Sequence, residues 1–271
     1  MSTAVRMPAV AGQFYPADPR ELRAEIEACT QPANETQLRS LGCVAPHAGY
    51  IYSGGVAGEV YRRLELPARY IILCPNHTGR GEPLAIMSSG AWRTPLGDVP
   101  VDEELASSLK AQFSLLSEDE AAHRYEHALE VQLPFLQVLR PQFTFVPITV
   151  GSGHYEVLSA LGVAIATTLR KAGEQVLVIA SSDMNHHESD SVTRVKDRRA
   201  IDQVLALDPR GLYDVVRKAN ISMCGYGPTV AMLTAVLRLG AKKAELLRYA
   251  TSGDVSGDRN SVVGYAGIAV S

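Results

Sequence analysis

Four short segments carry residues able to do chemistry together: Ala45-Pro46-His47-Ala48-Gly49-Tyr50, Pro75-Asn76-His77-Thr78-Gly79, Ser181-Ser182-Asp183-Met184-Asn185-His186 and Met223-Cys224-Gly225-Tyr226-Gly227-Pro228. Imidazole nitrogen and thiolate sulfur bind transition metals, and a carboxylate beside a histidine can orient the ring for proton transfer. Each segment stands where a strand ends or a helix begins. Open α/β sheets gather their ligands at the carboxyl ends of strands, so a single shared site is expected.

His47 follows the apolar run Leu41–Ala45. Pro46 fixes the exit and Gly49 allows a tight turn, with the hydroxyls of Tyr50 and Tyr52 nearby. His77 repeats the arrangement after Tyr70–Cys74. Either histidine alone reads equally well as a loop side chain bonded to backbone. Two of them in similar turns point to ligands for zinc, iron or copper. Cys224 lies in a Gly-rich turn before a helix whose start Pro228 marks. A thiol there is expected to ionise more easily and to bind metal or react, the alternative being a buried inert cysteine. Cys43 and Cys74 sit inside apolar runs and read as small buried hydrophobes. Asp183 and His186 read as a carboxylate–imidazole acid/base pair, and His187 as a bystander. Glu126 and His127 either line the pocket or form a first-turn charge pair of a helix.

These residues need a frame. Apolar runs at Leu41–Ala45, Tyr70–Cys74, Leu84–Met87, Phe143–Val150, Val176–Ala180, Glu245–Tyr249 and Val262–Val270 predict strands covered on both faces. Helices are expected over Pro19–Cys29, Gly54–Leu64, Asp102–Phe113, Tyr125–Leu139, Tyr155–Ala172, Ser191–Leu207, Pro209–Ala219 and Gly227–Leu239. Pro134 should kink or break the fourth of these. The alternation predicts an α/β fold, a mainly parallel central sheet sandwiched by helices. The polar stretch Gln31–Arg39 reads as a surface loop. With no linker evident, residues 1–271 read as one domain.

Composition narrows the function classes. The chain has 271 residues, 46% hydrophobic and 20% charged, with a net charge of −3. That balance gives no field toward nucleic acid or anionic membrane. No signal-peptide pattern and no bilayer-length apolar run is seen, so a cytoplasmic protein is expected. Its four cysteines form no CxxC pair, and disulfides are not expected in that compartment. No GxGxxG, P-loop or G-x-S-x-G motif is found. The run Thr251–Ser261, rich in Gly, Ser and Asp, lacks calcium-loop spacing and reads as a loop able to cap the site.

The motifs together resemble the Memo family, also called AmmeMemoRadiSam system protein B. The resemblance extends over Val10-Ala11-Gly12-Gln13-Phe14-Tyr15-Pro16, Thr94–Asp102, Glu126–Phe135 and Tyr249–Asp254, and so over essentially the whole chain. It implies a fold similar to class III extradiol dioxygenases, which bind Fe(II) with two histidines and a glutamate. Carried over by motif, His47 and His77 would be the histidine ligands and Cys224 the third, where those enzymes have glutamate. His186 would be the acid/base histidine with Asp183 behind it. From its place beside the pocket, His127 is a further candidate catalytic residue. The resemblance also implies iron or copper binding, oxidation chemistry and a pathway link to radical-SAM and AMMECR1-like proteins.

Several functions follow as expectations. The first is a metal-dependent oxidoreductase using Fe(II), with Cu or Zn as other metals, acting on an unknown and phenolic small molecule. Others are a ligand- or peptide-binding protein that keeps an enzyme fold, and a zinc metallohydrolase. A weaker one is a Cys224 nucleophile with His186 as its base.

Overall fold

The computed structural model describes residues 4–31 and 36–271. Of the loop expected over 31–39, residues 32–35 lie outside the described residues, as do residues 1–3 of the N-terminal stretch.

In chain order the first half comprises β1 (Val5–Arg6), α1 (Pro19–Cys29), β2 (Gly42–Ala45), α2 (Tyr50–Arg63), β3 (Arg69–Pro75), β4 (Leu84–Ile86), β5 (Ala91–Thr94), β6 (Gly97–Pro100), α3 (Glu103–Gln112), β7 (Ser117–Glu118), α4 (Ala121–Arg124), a 3₁₀ turn (Glu130–Gln132) and α5 (Leu133–Leu139). The second half comprises β8 (Thr144–Val150), α6 (Tyr155–Ala172), β9 (Val176–Ser181), β10 (His186–Glu188), α7 (Asp190–Leu205), α8 (Pro209–Lys218), α9 (Tyr226–Leu239), β11 (Ala244–Thr251), α10 (Gly253–Ser256) and β12 (Val262–Val270).

The main sheet runs β10-β12-β2-β9-β3-β8-β4-β7, with β11 also paired to β12. Its centre, β2-β9-β3-β8, is parallel. The expected parallel sheet is therefore these four strands. Antiparallel pairing begins at β12 on one side and β4 on the other. A small sheet, β1-β5-β6, is separate.

Alternate residues of each central strand feed opposite cores, as a period of two requires. Val44, Ile71, Leu73, Val146 and Val178 face α3, α6, α7, α8 and α9. Cys43, Ala45, Tyr70, Ile72, Cys74 and Ile179 face α1, α2, α5 and the small sheet. Cys43 and Cys74 are fully buried, as strand-interior cysteines should be.

One expected helix, Tyr125–Leu139, is regular α-helix only in its second half. Leu129, Leu133 and Leu136 have helical spacing, yet residues 125–129 are loop and α5 starts only at Leu133. Pro134 stands in the first turn of α5, where its missing N–H costs nothing. Further in, its ring would clash with the carbonyl four residues back. Glu130 adds a tertiary demand. Its buried carboxylate pairs with Arg6 and accepts from Ala9 N, Val10 N at 3.1 Å and the Tyr15 hydroxyl. In the other direction, α2 begins four residues ahead of the expected Gly54, with Gly49 as its N-cap. Gly49 has φ −54°, an ordinary conformation, so its expected turn does not depend on glycine.

Candidate metal centre

Parallel register brings three strand ends together. Ala45, the last residue of β2, lies beside Ser181, the last of β9, and β3 flanks β9 on the other side. His47 and His77 each come two residues after their strand. Asp183 comes two residues after β9. Cys224 arrives from elsewhere, one residue before Gly225, the N-cap of α9. Gly225 N donates to Ser182 Oγ at 3.0 Å. A Cβ at Gly225 would lie 2.4 Å from Ser181 O and from Ser182 Cβ, so only glycine lets α9 dock so closely on β9.

His47 Nε2, His77 and Cys224 Sγ are thus drawn into one cluster. Their ligand atoms all lie within 4.8 Å of one another, and Cys224 Sγ is 3.2 Å from His47 Nε2. His47 is buried, whereas His77 opens to solvent.

The tautomers of both rings follow from their partners. His77 Nδ1 is 2.9 Å from Glu126 Oε1. The charge and hydrogen bond of His77 help hold Glu126 below the usual carboxylate range against its burial, so Glu126 accepts and His77 Nδ1 donates. His47 Nδ1 is 2.9 Å from Ser181 Oγ. That hydroxyl spends its only proton on Ala128 O at 2.5 Å, so it can only accept from His47. Both rings therefore carry the proton on Nδ1 and present Nε2 as a lone pair, the state a metal ligand requires.

The electrostatics treat the two rings differently. Burial, with the neighbouring imidazoles His127, His77 and His186, pushes His47 well below the ordinary histidine range. Burial works the same way on His77, but the hydrogen bond and charge of Glu126 outweigh it and raise this ring. Burial, then the Asp183 carboxyl, pushes the Cys224 thiol up. The lowering expected from its place before a helix is overturned, because desolvation exceeds the pull of the helix end. A coordinated cation would reverse this, since a metal-bound thiol is deprotonated outright.

Asp183 does not stand behind His186. Its Oδ1 accepts from His47 N at 2.7 Å, and Ala48 N also bonds to it. It anchors the turn that carries His47. Burial lifts it to about 7 despite these bonds. His186 Nδ1 instead meets the Ser222 carbonyl at 2.9 Å and His186 N donates to Ser222 Oγ at 2.7 Å. A carbonyl only accepts, so the neutral His186 ring also keeps its proton on Nδ1. Burial lowers its pKa. The neighbouring His187 is exposed, in a left-handed conformation at φ 61°.

His127 stacks on His77 with centroids 4.8 Å apart and planes 18° apart, and its ring is 5.5 Å from that of His47. It stands in a loop rather than opening a helix. His77, Glu126 and His127 also group closely. Near-parallel rings cannot aim in-plane lone pairs at one ion, and Glu126 already accepts His77 N, His77 Nδ1 and Ala128 N. The His47, His77 and Cys224 group has no such obstacle.

A family model described as Memo-like protein matches residues 6–269. The chain belongs to the Memo family. It is 47% identical to a MEMO1 family protein of Methanosarcina barkeri, covering 98% of this chain and 100% of that one. A MEMO1 family protein of Methanothermobacter thermautotrophicus is 45% identical, over 97% and 99% of the two chains. One of Sulfolobus acidocaldarius is 44% identical, over 97% and 98%. Among solved structures, an uncharacterized protein of Escherichia coli K12 superposes with a TM-score of 0.60 at 12% identity, covering 85% of this chain and 100% of that chain. That likeness shows the α/β fold alone.

In this Memo chain the motifs bring His47, His77, Cys224, Asp183 and His127 to one place, with His186 close enough to act electrostatically on His47. Four residues take supporting roles that the motif reading does not assign. They are Glu126 in its orienting role, Gln132, Ser181 and Ser222. For Glu126 and Gln132 there is a signal: polar groups in the apolar stretch 126–136 need buried partners. Arg194 and Arg259 pair with Asp190 and Asp254, so Asp254 and Arg259 of the Thr251–Ser261 run tether it to α7. No helix among the described residues is long and apolar enough to cross a membrane.

Proposed function

We propose that His47 Nε2, His77 Nε2 and Cys224 Sγ bind one transition-metal ion, Fe(II), and that the site oxidises a phenolic small molecule. The supporting observation is the pair of imidazoles whose Nδ1 is engaged by Ser181 and Glu126, with His47 Nε2 beside the thiol and His77 in the same cluster. A ferrous ion held by three protein ligands keeps open positions and supplies electrons for oxygen chemistry. Thiolate in place of carboxylate makes the donor set softer and also suits Cu or Zn.

The chain's own residues would handle the proton. His186 is held by Ser222, and burial favours its neutral ring. It would accept the proton of a phenolic hydroxyl, a contribution of roughly 10²–10⁴-fold. His127 would line the substrate side of the pocket. We assign this activity to one domain of the cytoplasm, 1–271, in a shared pathway with radical-SAM and AMMECR1-like proteins.

The test is elemental analysis of natively purified protein, then anaerobic Fe(II) loading and oxygen uptake over a phenol panel. One metal per chain is expected, lost in Cys224→Ser. His186→Ala should keep the metal and lose turnover by roughly 10²–10⁴-fold. Metal retained equally by Cys224→Ser would remove the thiol from the ligand set. Zinc with hydrolytic turnover would replace this reading with the metallohydrolase, and ligand binding without any turnover would replace it with a binding protein.

A further inference from the structure

Beneath the cluster, the Ser181 bond that orients His47 continues into a longer chain of hydrogen bonds. Tyr61, fully buried on α2, donates its hydroxyl to Gln132 Oε1 at 2.7 Å. Gln132 Nε2 donates to Pro46 O at 3.0 Å and to Ser181 Oγ at 2.8 Å. Ser181 donates to Ala128 O and accepts from His47 Nδ1. Gln132, Ser181 and Tyr61 are inaccessible to solvent.

Each polarity in the chain is forced. Pro46 O can only accept, so the amide nitrogen of Gln132 must face it. The same nitrogen then faces Ser181 Oγ, and the amide oxygen faces Tyr61. Ala128 O can only accept, so it takes the serine proton. Two acceptor sites remain on Ser181, one filled by Gln132 and the other by His47. The neutral ring therefore has one tautomer.

We infer that Gln132 is a positioning residue for His47, and that its amide nitrogen holds both ends of that histidine. One bond grips the carbonyl of the preceding residue, Pro46. The other grips Ser181, which fixes the ring. Ser181 is the switch for tautomer and Gln132 the clamp on backbone and serine together. The chemistry supplied is a choice of nitrogen. With Nδ1 protonated, Nε2 faces Cys224, whereas the opposite tautomer would point an N–H at the sulfur and leave no lone pair there.

This inference rests on the metal reading only for its consequence, since the tautomer is a property of the metal-free protein. The test has two readouts. The first is ¹⁵N NMR of His47 in metal-free wild type, Ser181→Ala and Gln132→Met near neutral pH, with His47→Gln to assign the signals. Wild type should show a protonated Nδ1 and a pyridine-type Nε2, and Ser181→Ala should mix the tautomers. The second is Zn(II) affinity. Loss of an outer-sphere partner of a ligating histidine lowers it by roughly 10–100-fold, and Ser181→Thr, which keeps the hydroxyl, should recover most of this. Gln132→Met should weaken Zn(II) while leaving Nδ1 protonated.

Protonated Nε2 in metal-free wild type would overturn the inference. So would Ser181→Ala or Gln132→Met binding Zn(II) as wild type does. Wild type that binds no Zn(II) but shows the Nδ1 tautomer would end the metal reading and leave the tautomer assignment standing.

Discussion

Cys224 Sγ lies 3.2 Å from His47 Nε2, though 177 positions separate them in the chain. Because His47 carries its proton on Nδ1, Nε2 accepts and the thiol donates. The proton between them occupies the side of each atom that a metal would use. Burial raises the thiol, so metal must displace that proton over the whole neutral range. Zn(II) affinity should therefore rise about tenfold per pH unit near neutrality, by simple proton linkage. His77, raised by Glu126, steepens the dependence in acid. Calorimetry in buffers of differing ionisation heat should count about one proton released per ion near pH 8. A Cys224→Ser titration with the same proton count would remove the thiol from the exchange.

Glu126 holds His77 at two points, accepting from its backbone N at 2.6 Å and from Nδ1 at 2.9 Å. Glu126→Gln places an amide N–H against one of these donors and removes the charge that raises the ring. We expect Zn(II) affinity to fall roughly 10–100-fold, with little change in fold. The His77 pKa should drop in the same variant, visible by NMR titration. An unchanged pKa would show that this carboxylate does not govern the ring.

Much of this arrangement is legible in the chain. Strands read well because β2, β3 and β9 are short, apolar and covered on both faces. His47, His77 and Asp183 then fall just beyond strand ends, where a shared site belongs. Ser181 does not stand out, because a serine closing a strand looks like any other; its importance comes from Gln132 and Ala128, which reach it only in the fold. The stretch 125–132 reads wrongly for a related reason. Leucine spacing favours a helix, while Glu126 and Glu130 are drawn to His77 and Arg6, contacts of long sequence separation that local periodicity cannot carry. Asp183 and His186, close in sequence, predict a pair. The turn between them, ending in the β10 edge, sends one toward His47 N and the other toward Ser222.

Glu130 is the largest electrostatic commitment outside the site. It is fully buried and serves Arg6, Ala9, Val10 and Tyr15. Glu130→Ala would leave Arg6 buried without its charge partner, which typically costs about 3–5 kcal/mol. Urea unfolding should show that loss. A change under about 1 kcal/mol, the scale of an exposed pair, would mean the N-terminal segment is held by packing instead.

Gly225→Ala tests the docking of α9 without touching a donor atom of the cluster. The added methyl would meet Ser181 O and Ser182 Cβ, each at 2.4 Å. Backbone cannot yield cheaply, so overpacking should cost about 1–3 kcal/mol. Because Cys224 is the adjacent residue, its sulfur should move off His47 and Zn(II) affinity should fall with stability. Thermal unfolding and Zn(II) titration on the same sample check this. Lost stability with unchanged affinity would separate the helix start from the ligand.

Asp197 extends the support of His186 into the core. It accepts from Asn185 N at 2.8 Å and from the Tyr249 hydroxyl at 2.7 Å. Asn185 Oδ1 in turn accepts from Ser222 N and Oγ, and Ser222 O takes the His186 proton. Burial raises Asp197 to about 6 from an ordinary 3.8. The folded state therefore binds more protons than the unfolded state between about pH 4 and 6, and this residue's contribution to stability falls as pH rises through that window. At 1.36 kcal/mol per unit the loss amounts to roughly 3 kcal/mol. Asp197→Asn keeps the acceptor for Asn185 and turns an N–H toward the Tyr249 oxygen, with no charge to desolvate. The stability of the variant relative to wild type should accordingly rise between pH 4 and 7 and flatten above, in urea unfolding at matched pH. A difference that stays constant across this range would mean that Asp197 titrates alike in the folded and unfolded chains.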